Sequence, residues 1–136
     1  MKPTNESLVV AKSKIHKQGV FAAHRIKKGP RIVEYDGERI PRKEGLRRDK
    51  AQKKKGQFYV FAIDRNWCVD GSKGGIARLI NHSCNPNCEY KRKNGKIRIY
   101  AKRDIRKGEE LTYDYDVAEK GKYVCRCGAK GCTGTM

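Results

Sequence analysis

The chain has 136 residues, 37% apolar and 35% charged, which allows one domain with a single thin core and excludes two. Lys and Arg number 33 against 15 acidic residues, a formal net charge of +18 that favours polyanionic partners, nucleic acid first among them. No apolar h-region follows Met1–Ser7 and no run approaches membrane-spanning length. A soluble intracellular protein of the cytoplasm or nucleus is therefore expected, with export by another route left open. In a reducing compartment the six cysteines point to metal or free thiols before disulfides, and a metal staple would suit so polar a domain.

In chain order, Leu8–Ala11 reads as a short strand and Ser13–Gln18 as a polar loop closed by Gly19. Val20–Ala23 is apolar again, Lys28-Gly29-Pro30 turns, and Arg31–Tyr35 makes a strand ended by Asp36-Gly37. From Pro41 to Lys55 the sequence is charged, with Leu46 and Ala51 nearly alone as apolar residues; it predicts a solvated helix or a mobile insert, not core. Phe58–Ile63 is a strand with aromatics on both faces, turned by Asp64–Asn66 toward Trp67–Asp70. After the Gly71–Gly75 loop, Ile76–Ile80 suits one helical turn. Cys88–Arg92 and Lys96–Ala101 flank Asn94-Gly95, a strong hairpin signal. Lys107-Gly108 turns into a last strand, Glu110–Tyr115. Short strands between turn signals describe a mainly β domain with little helix.

Three stretches carry groups suited to chemistry. Arg78–Asn87 packs an amide, an imidazole, a hydroxyl and a thiol into a turn-prone segment that Pro86 keeps from running on as helix. Glu110–Tyr115 alternates, with Leu111, Tyr113 and Tyr115 on one face and Thr112 and Asp114 on the other. The tail Cys125-Arg126-Cys127-Gly128-Ala129-Lys130-Gly131-Cys132 is a C-x-C-x4-C arrangement, three ligands for tetrahedral zinc. A fourth must come from Cys84, Cys88, Cys68 or His82, or a vacant position would make the metal catalytic.

Asn81-His82-Ser83-Cys84 with Pro86-Asn87, then Glu110–Tyr115, then the cysteine tail occur in the order seen in SET-domain protein-lysine methyltransferases, which this chain resembles. Gly19-Val20-Phe21-Ala22, Glu34-Tyr35-Asp36-Gly37-Glu38 and Tyr59-Val60-Phe61 extend the match over roughly Val9 to Met136. The resemblance implies a mainly β SET-domain fold of small curved sheets with few short helices. In it the Asn81 and Tyr115 segments pass in a knot-like crossing. It implies a SET domain over 1–116, holding the charged 41–55 segment, and a post-SET zinc tail over 117–136. S-adenosylmethionine would bind on one face and a substrate lysine would enter from the other, a narrow channel joining them. Asn81 and His82 would hold the adenine end, and His16, Lys17, Gln18 and Gly19 would form the loop at the cofactor's amino-acid end. Tyr59 would border cofactor and lysine, and Met136 would pack on the adenine ring. Cys84 would join Cys125, Cys127 and Cys132 around structural zinc.

The implied reaction asks for positioning more than for a strong base. A low-dielectric channel helps the lysine lose its proton, and enforced geometry replaces a bimolecular encounter. Tyr115 would orient methyl and amine. Tyr113, at a position where the family carries Tyr or Phe, would crowd the amine and hold the enzyme mainly to monomethylation with some dimethylation. The family's Gly-x-Gly reads here Lys17-Gln18-Gly19. Either the loop takes another path, or the Lys17 ammonium meets the cofactor's carboxylate. Glu109, Glu110, Asp114, Asp116 and Glu119 gather around Tyr115 and would attract the lysine-bearing tail of a histone or histone-like protein, with the basic surface elsewhere free for nucleic acid. The chain is expected to act as a monomer away from membranes. The competing reading is a non-catalytic module of the same fold that binds nucleic acid or chromatin.

Overall fold

In the computed structural model, which describes residues 7–117 and 121–136, ten short strands form four small sheets around one core. Met1–Glu6 and Glu119 of the acidic group lie outside the described residues. Strands β1 (Leu8–Lys12) and β2 (Gln18–Ala22) make a hairpin. The strand thus begins at Gln18, inside the expected loop, because Gln18 pairs with Lys12.

Strand β3 (Arg31–Tyr35) pairs with β9 (Lys96–Ala101), which pairs with β8 (Cys88–Lys93) across the Asn94-Gly95 turn. Both turn residues have positive φ, as a two-residue hairpin requires. Ile97, Ile99 and Ala101 face inward against Ile32, Val33, Tyr35 and Cys88, and they supply much of the buried core.

The third sheet joins β4 (Glu38–Pro41), β6 (Trp67–Asp70) and β5 (Val60–Ala62). Between β4 and β5 the charged segment forms a helix, α1 (Arg42–Lys53), rather than a mobile insert. Its apolar content is too low for burial to hold it; Leu46 is exposed. Charge holds it instead. Glu44 pairs with Arg47 and Arg48, Asp49 with Lys53, and Arg48 reaches Glu38 on β4 and Asp70 on β6. Gly45, usually a poor residue for a helix interior, is buried where an added Cβ would collide with the Cys68 side chain.

Two expected strands are shorter than the alternation suggested. Only Val60–Ala62 of Phe58–Ile63 is strand, since the Tyr59 carbonyl accepts from the Gly71 N–H and the Tyr35 hydroxyl, and its N–H donates to the Gln52 side chain. Only Thr112–Tyr113 of Glu110–Tyr115 is strand, β10, which lies parallel to β7 (Asn81–His82). Leu111 donates to Val20, whereas Tyr115 donates to an imidazole, so the backbone changes partner twice within five residues. Thr112 is buried along with Leu111 and Tyr113, because β7 and Asn87 cover the opposite face of the strand as well. A 3-10 turn, Ile76–Leu79, leads into β7.

Candidate active site and thiolate cluster

The pairing of β7 with β10 positions the site. Asn87 clamps it: its Oδ1 accepts from the Thr112 N–H and its amide donates to the Glu110 carbonyl, each at 2.9 Å. The Ser83 N–H donates to Tyr113. Two segments well separated in the chain are thereby strapped side by side.

Asn81 is buried beneath this strap, and its amide nitrogen, with two N–H bonds to share, lies 2.9 to 3.2 Å from the Ser13 hydroxyl, the His16 and Gln18 carbonyls and the Glu110 carboxylate. Ser13 also donates to Glu110 at 2.8 Å. The side chain therefore fixes the β1–β2 loop. Gly19 lies so close to the Glu110 carboxylate that a Cβ there would collide with it. Lys17 sits at φ 42, the left-handed region that lysine enters only with strain. The loop thus holds a conformation at Lys17 that suits glycine.

This loop borders a cavity of about 520 Å³. His16, Lys17, Gln18, Tyr59, Asn81, His82, Tyr115 and Met136 all line it, so every expected cofactor residue is brought together except Gly19, which packs behind the wall. Lys17, Lys55, Arg78 and Arg126 bring cations to the lining, and among the described residues no acidic side chain lines the cavity, which suits a ligand carboxylate. The faces of Phe58, Tyr115 and Tyr123 suit a sulfonium. A second cavity, about 270 Å³, is lined by Tyr113, Tyr90 and Phe61, by the carboxylates Asp49 and Asp116 and by the cations Arg42, Lys53 and Arg92. The two cavities share two side chains, Tyr115 and Phe58. Phe58 packs on Tyr115 with centroids 5.7 Å apart and on Tyr123 at 5.2 Å. Sequence reasoning passed over Phe58, Tyr123, Tyr90 and Gln52. Only the aromatic run at Phe58-Tyr59 hinted at the first, and nothing in a charged helix marks Gln52 as the partner of the Tyr59 backbone.

The Tyr115 hydroxyl donates to the Ile80 carbonyl at 2.7 Å. Burial, then the neighbouring Tyr59 and Glu110, raise its pKa, and burial likewise holds the Tyr113 and Tyr35 phenols far up. All three stay neutral at any physiological pH. The Tyr115 backbone N–H donates to His82 Nδ1 at 2.9 Å, so the proton of the neutral imidazole sits on Nε2, 3.5 Å from Cys84 Sγ.

Cys84 lies 3.7 Å from Cys125 and 3.6 Å from Cys132 between sulfurs, and with Cys127 the four sulfurs fall within 4.8 Å of one another. A tetrahedron with metal–sulfur bonds of about 2.3 Å has edges of about 3.8 Å, so the spacing fits a four-thiolate metal site and is far too long for a disulfide. The Cys84 and Ala129 N–H groups donate to Cys127 Sγ and the Gly134 N–H to Cys132 Sγ, the usual support for thiolates. Gly128 and Gly131 take positive φ where the tail curls round the cluster. Burial pushes up the Cys84 and Cys125 thiols. Burial also acts on Cys127, but the Cys84 and Ala129 N–H groups and the Cys125 and Cys132 thiols pull it down to about 6. A cation bound by these sulfurs would displace the remaining thiol protons. Cys68 and Cys88 are buried elsewhere, and burial drives the Cys88 thiol up to about 12.

A family model described as SET domain matches residues 17–116. The chain belongs to the SET-domain family. This SET domain is 44% identical over 147 aligned residues to a Schizosaccharomyces pombe protein named histone-lysine N-methyltransferase, H3 lysine-4 specific, an alignment covering the whole chain and 16% of that protein. Proteins of the same name from Candida albicans and Neurospora crassa are 44% and 39% identical, over 93% and 100% of this chain but 13% and 11% of their own lengths. The chain therefore spans no more than about a sixth of these relatives. The cysteine tail lies beyond the residues the family model matches.

Proposed function

We propose that the chain transfers a methyl group from S-adenosylmethionine to the ε-amine of a lysine in a histone or histone-like protein. The observation carrying this reading is the meeting of two cavities at Tyr115 and Phe58. S-adenosylmethionine, when bound, supplies an electrophilic methyl on a sulfonium. His16, Lys17, Gln18, Tyr59, Asn81, His82 and Met136 hold it in the larger cavity. The smaller cavity, whose lining carries Arg42, Lys53 and Arg92 as well as Asp49 and Asp116, takes the lysine side chain by its aromatic walls rather than by net charge. Aromatic walls then withhold solvation from the ammonium, which favours loss of its proton to water.

Tyr115 is a positioning and electrostatic group and no base, since its phenol stays neutral. Its proton is committed to Ile80, which leaves an oxygen lone pair for the amine or the methyl hydrogens. Tyr113, wholly buried beside it at 5.1 Å between centroids, narrows the lysine end and favours monomethylation with some dimethylation. Structural zinc held by Cys84, Cys125, Cys127 and Cys132 pins residues 121–136, and with them Tyr123 and Met136, against the cofactor. The names of the relatives support the histone H3 tail as substrate and chromatin as the place of action. We further propose the division into a SET domain over 1–116 and a post-SET tail over 117–136.

The test is incubation with labelled S-adenosylmethionine and recombinant histone H3, wild type against Tyr115→Phe. Removing the hydroxyl should cut transfer by about two orders of magnitude. Transfer by wild type no greater than by the variant would favour the non-catalytic binding module.

A further inference from the structure

We propose that the outer face of the β3–β9–β8 sheet is a docking surface for the phosphate backbone of duplex DNA. The inner face of this sheet is core; the alternation of the strands places Arg31, Lys91, Lys93, Lys96, Arg98 and Tyr100 on the other side. Against these cations stand Glu34, opposite Arg98, and Glu89, opposite Tyr100. Among the described residues no ion pair engages any of the five cations. Two like-charge pairs lie directly across the ladder, Lys91 opposite Arg98 and Lys93 opposite Lys96. Such pairs destabilise a sheet, and the nearest carboxylates, Glu34 opposite Arg98 and Glu89 beside Lys91 on the same face, form no ion pair with them among the described residues. Arg98 Nε is buried with no hydrogen-bond partner among the described residues. A surface that bears repulsion at two rungs of one face suits an external polyanion, whose arrival relieves it.

The chemistry of the face selects the polyanion. It offers no apolar centre of the kind a protein interface needs. Its one aromatic, Tyr100, lies under the Lys91 ammonium, 4.9 Å from the ring centroid, so it is not a platform for stacking single-stranded bases. What remains is an array of cations on a rigid hairpin, suited to backbone phosphates irrespective of sequence. On its other face β8 carries Tyr90 and Arg92, which line the smaller cavity. DNA on the outer face would thus lie one sheet away from the lysine entrance. The proposal does not depend on methyl transfer and is tested without it.

A fluorescent 20-bp duplex of random sequence, titrated without S-adenosylmethionine or histone at several salt concentrations, provides the readout. Lys91→Gln, Lys93→Gln and Lys96→Gln together should weaken binding at least tenfold and reduce the slope of log affinity against log salt by about 2 to 3. A control with the same loss of charge on exposed residues elsewhere, Lys27→Gln, Lys28→Gln and Lys107→Gln, should change affinity less than threefold. The hairpin variant should melt no lower than the parent, since it removes the repulsion. Equal losses from both triple variants would reduce the effect to net charge and overturn the proposal. So would tighter binding of a single-stranded RNA of the same length, or a lower melting temperature that attributes the loss to the fold.

Discussion

At the residue scale the informative position is Lys17, a lysine in a backbone conformation that suits glycine. The left-handed region costs a non-glycine residue about 1–2 kcal/mol, and glycine returns about 0.5–1 kcal/mol of that through its freer unfolded chain. Lys17→Gly should therefore stabilise the domain by about 0.5–1 kcal/mol in urea unfolding, whereas Lys17→Ala should bring no gain; equal effects of the two would mean that the backbone is relaxed there. The proposed control of product by Tyr113 belongs to the same scale. If its hydroxyl takes up room beside the lysine amine, Tyr113→Phe should shift products toward di- and trimethyl-lysine, and an unchanged distribution by mass spectrometry would remove that role.

At the scale of elements, α1 is held by charge rather than by apolar contact. Hydrogen bonds from Arg47 and Arg48 lower Glu44 to about 2. Burial works against the ionised Asp70, but Ser72, Arg48 and Gln52 still bring it below its ordinary value. A carboxylate depressed in the folded state contributes stability above its unfolded pKa and loses it as pH falls through the folded value. The hold on α1 should accordingly be full above about pH 4 and decline toward pH 2. Amide exchange is expected to show α1 losing protection in that window before the β3–β9–β8 core; simultaneous loss would mean that the helix is not a separate unit. Because Gln52 bonds the Tyr59 backbone, loosening α1 should also disturb the cofactor cavity.

For the whole molecule the decisive contact is between the Asn81–Cys84 segment and the tail. Tyr123 and Met136 pair through their backbones and line the larger cavity, and the sulfurs of Cys125, Cys127 and Cys132 meet that of Cys84. Stripping the metal with a chelator should release residues 121–136, raise trypsin cleavage after Arg126 and Lys130 at least tenfold, and abolish measurable cofactor binding. Cleavage and binding that do not change after the metal has gone would make the cluster an ornament of the tail.

The local sequence was enough to specify the turn chemistry, most of the strands, the mainly β class and three of the four sulfurs, because glycines, alternation and cysteine spacing act over a few residues. The resemblance added Cys84 and the cofactor loop. Long-range placement decided the remainder. Thr112 is buried because β7 covers it, Tyr59 falls outside its strand because Tyr35 and Gln52 claim its backbone, and a charged segment becomes an ordered helix because Asp70 and Glu38 await Arg48. Partners distant in the chain set the fate of these groups, and a hydrogen bond or ion pair formed across tens of residues leaves no periodic trace in the sequence on either side.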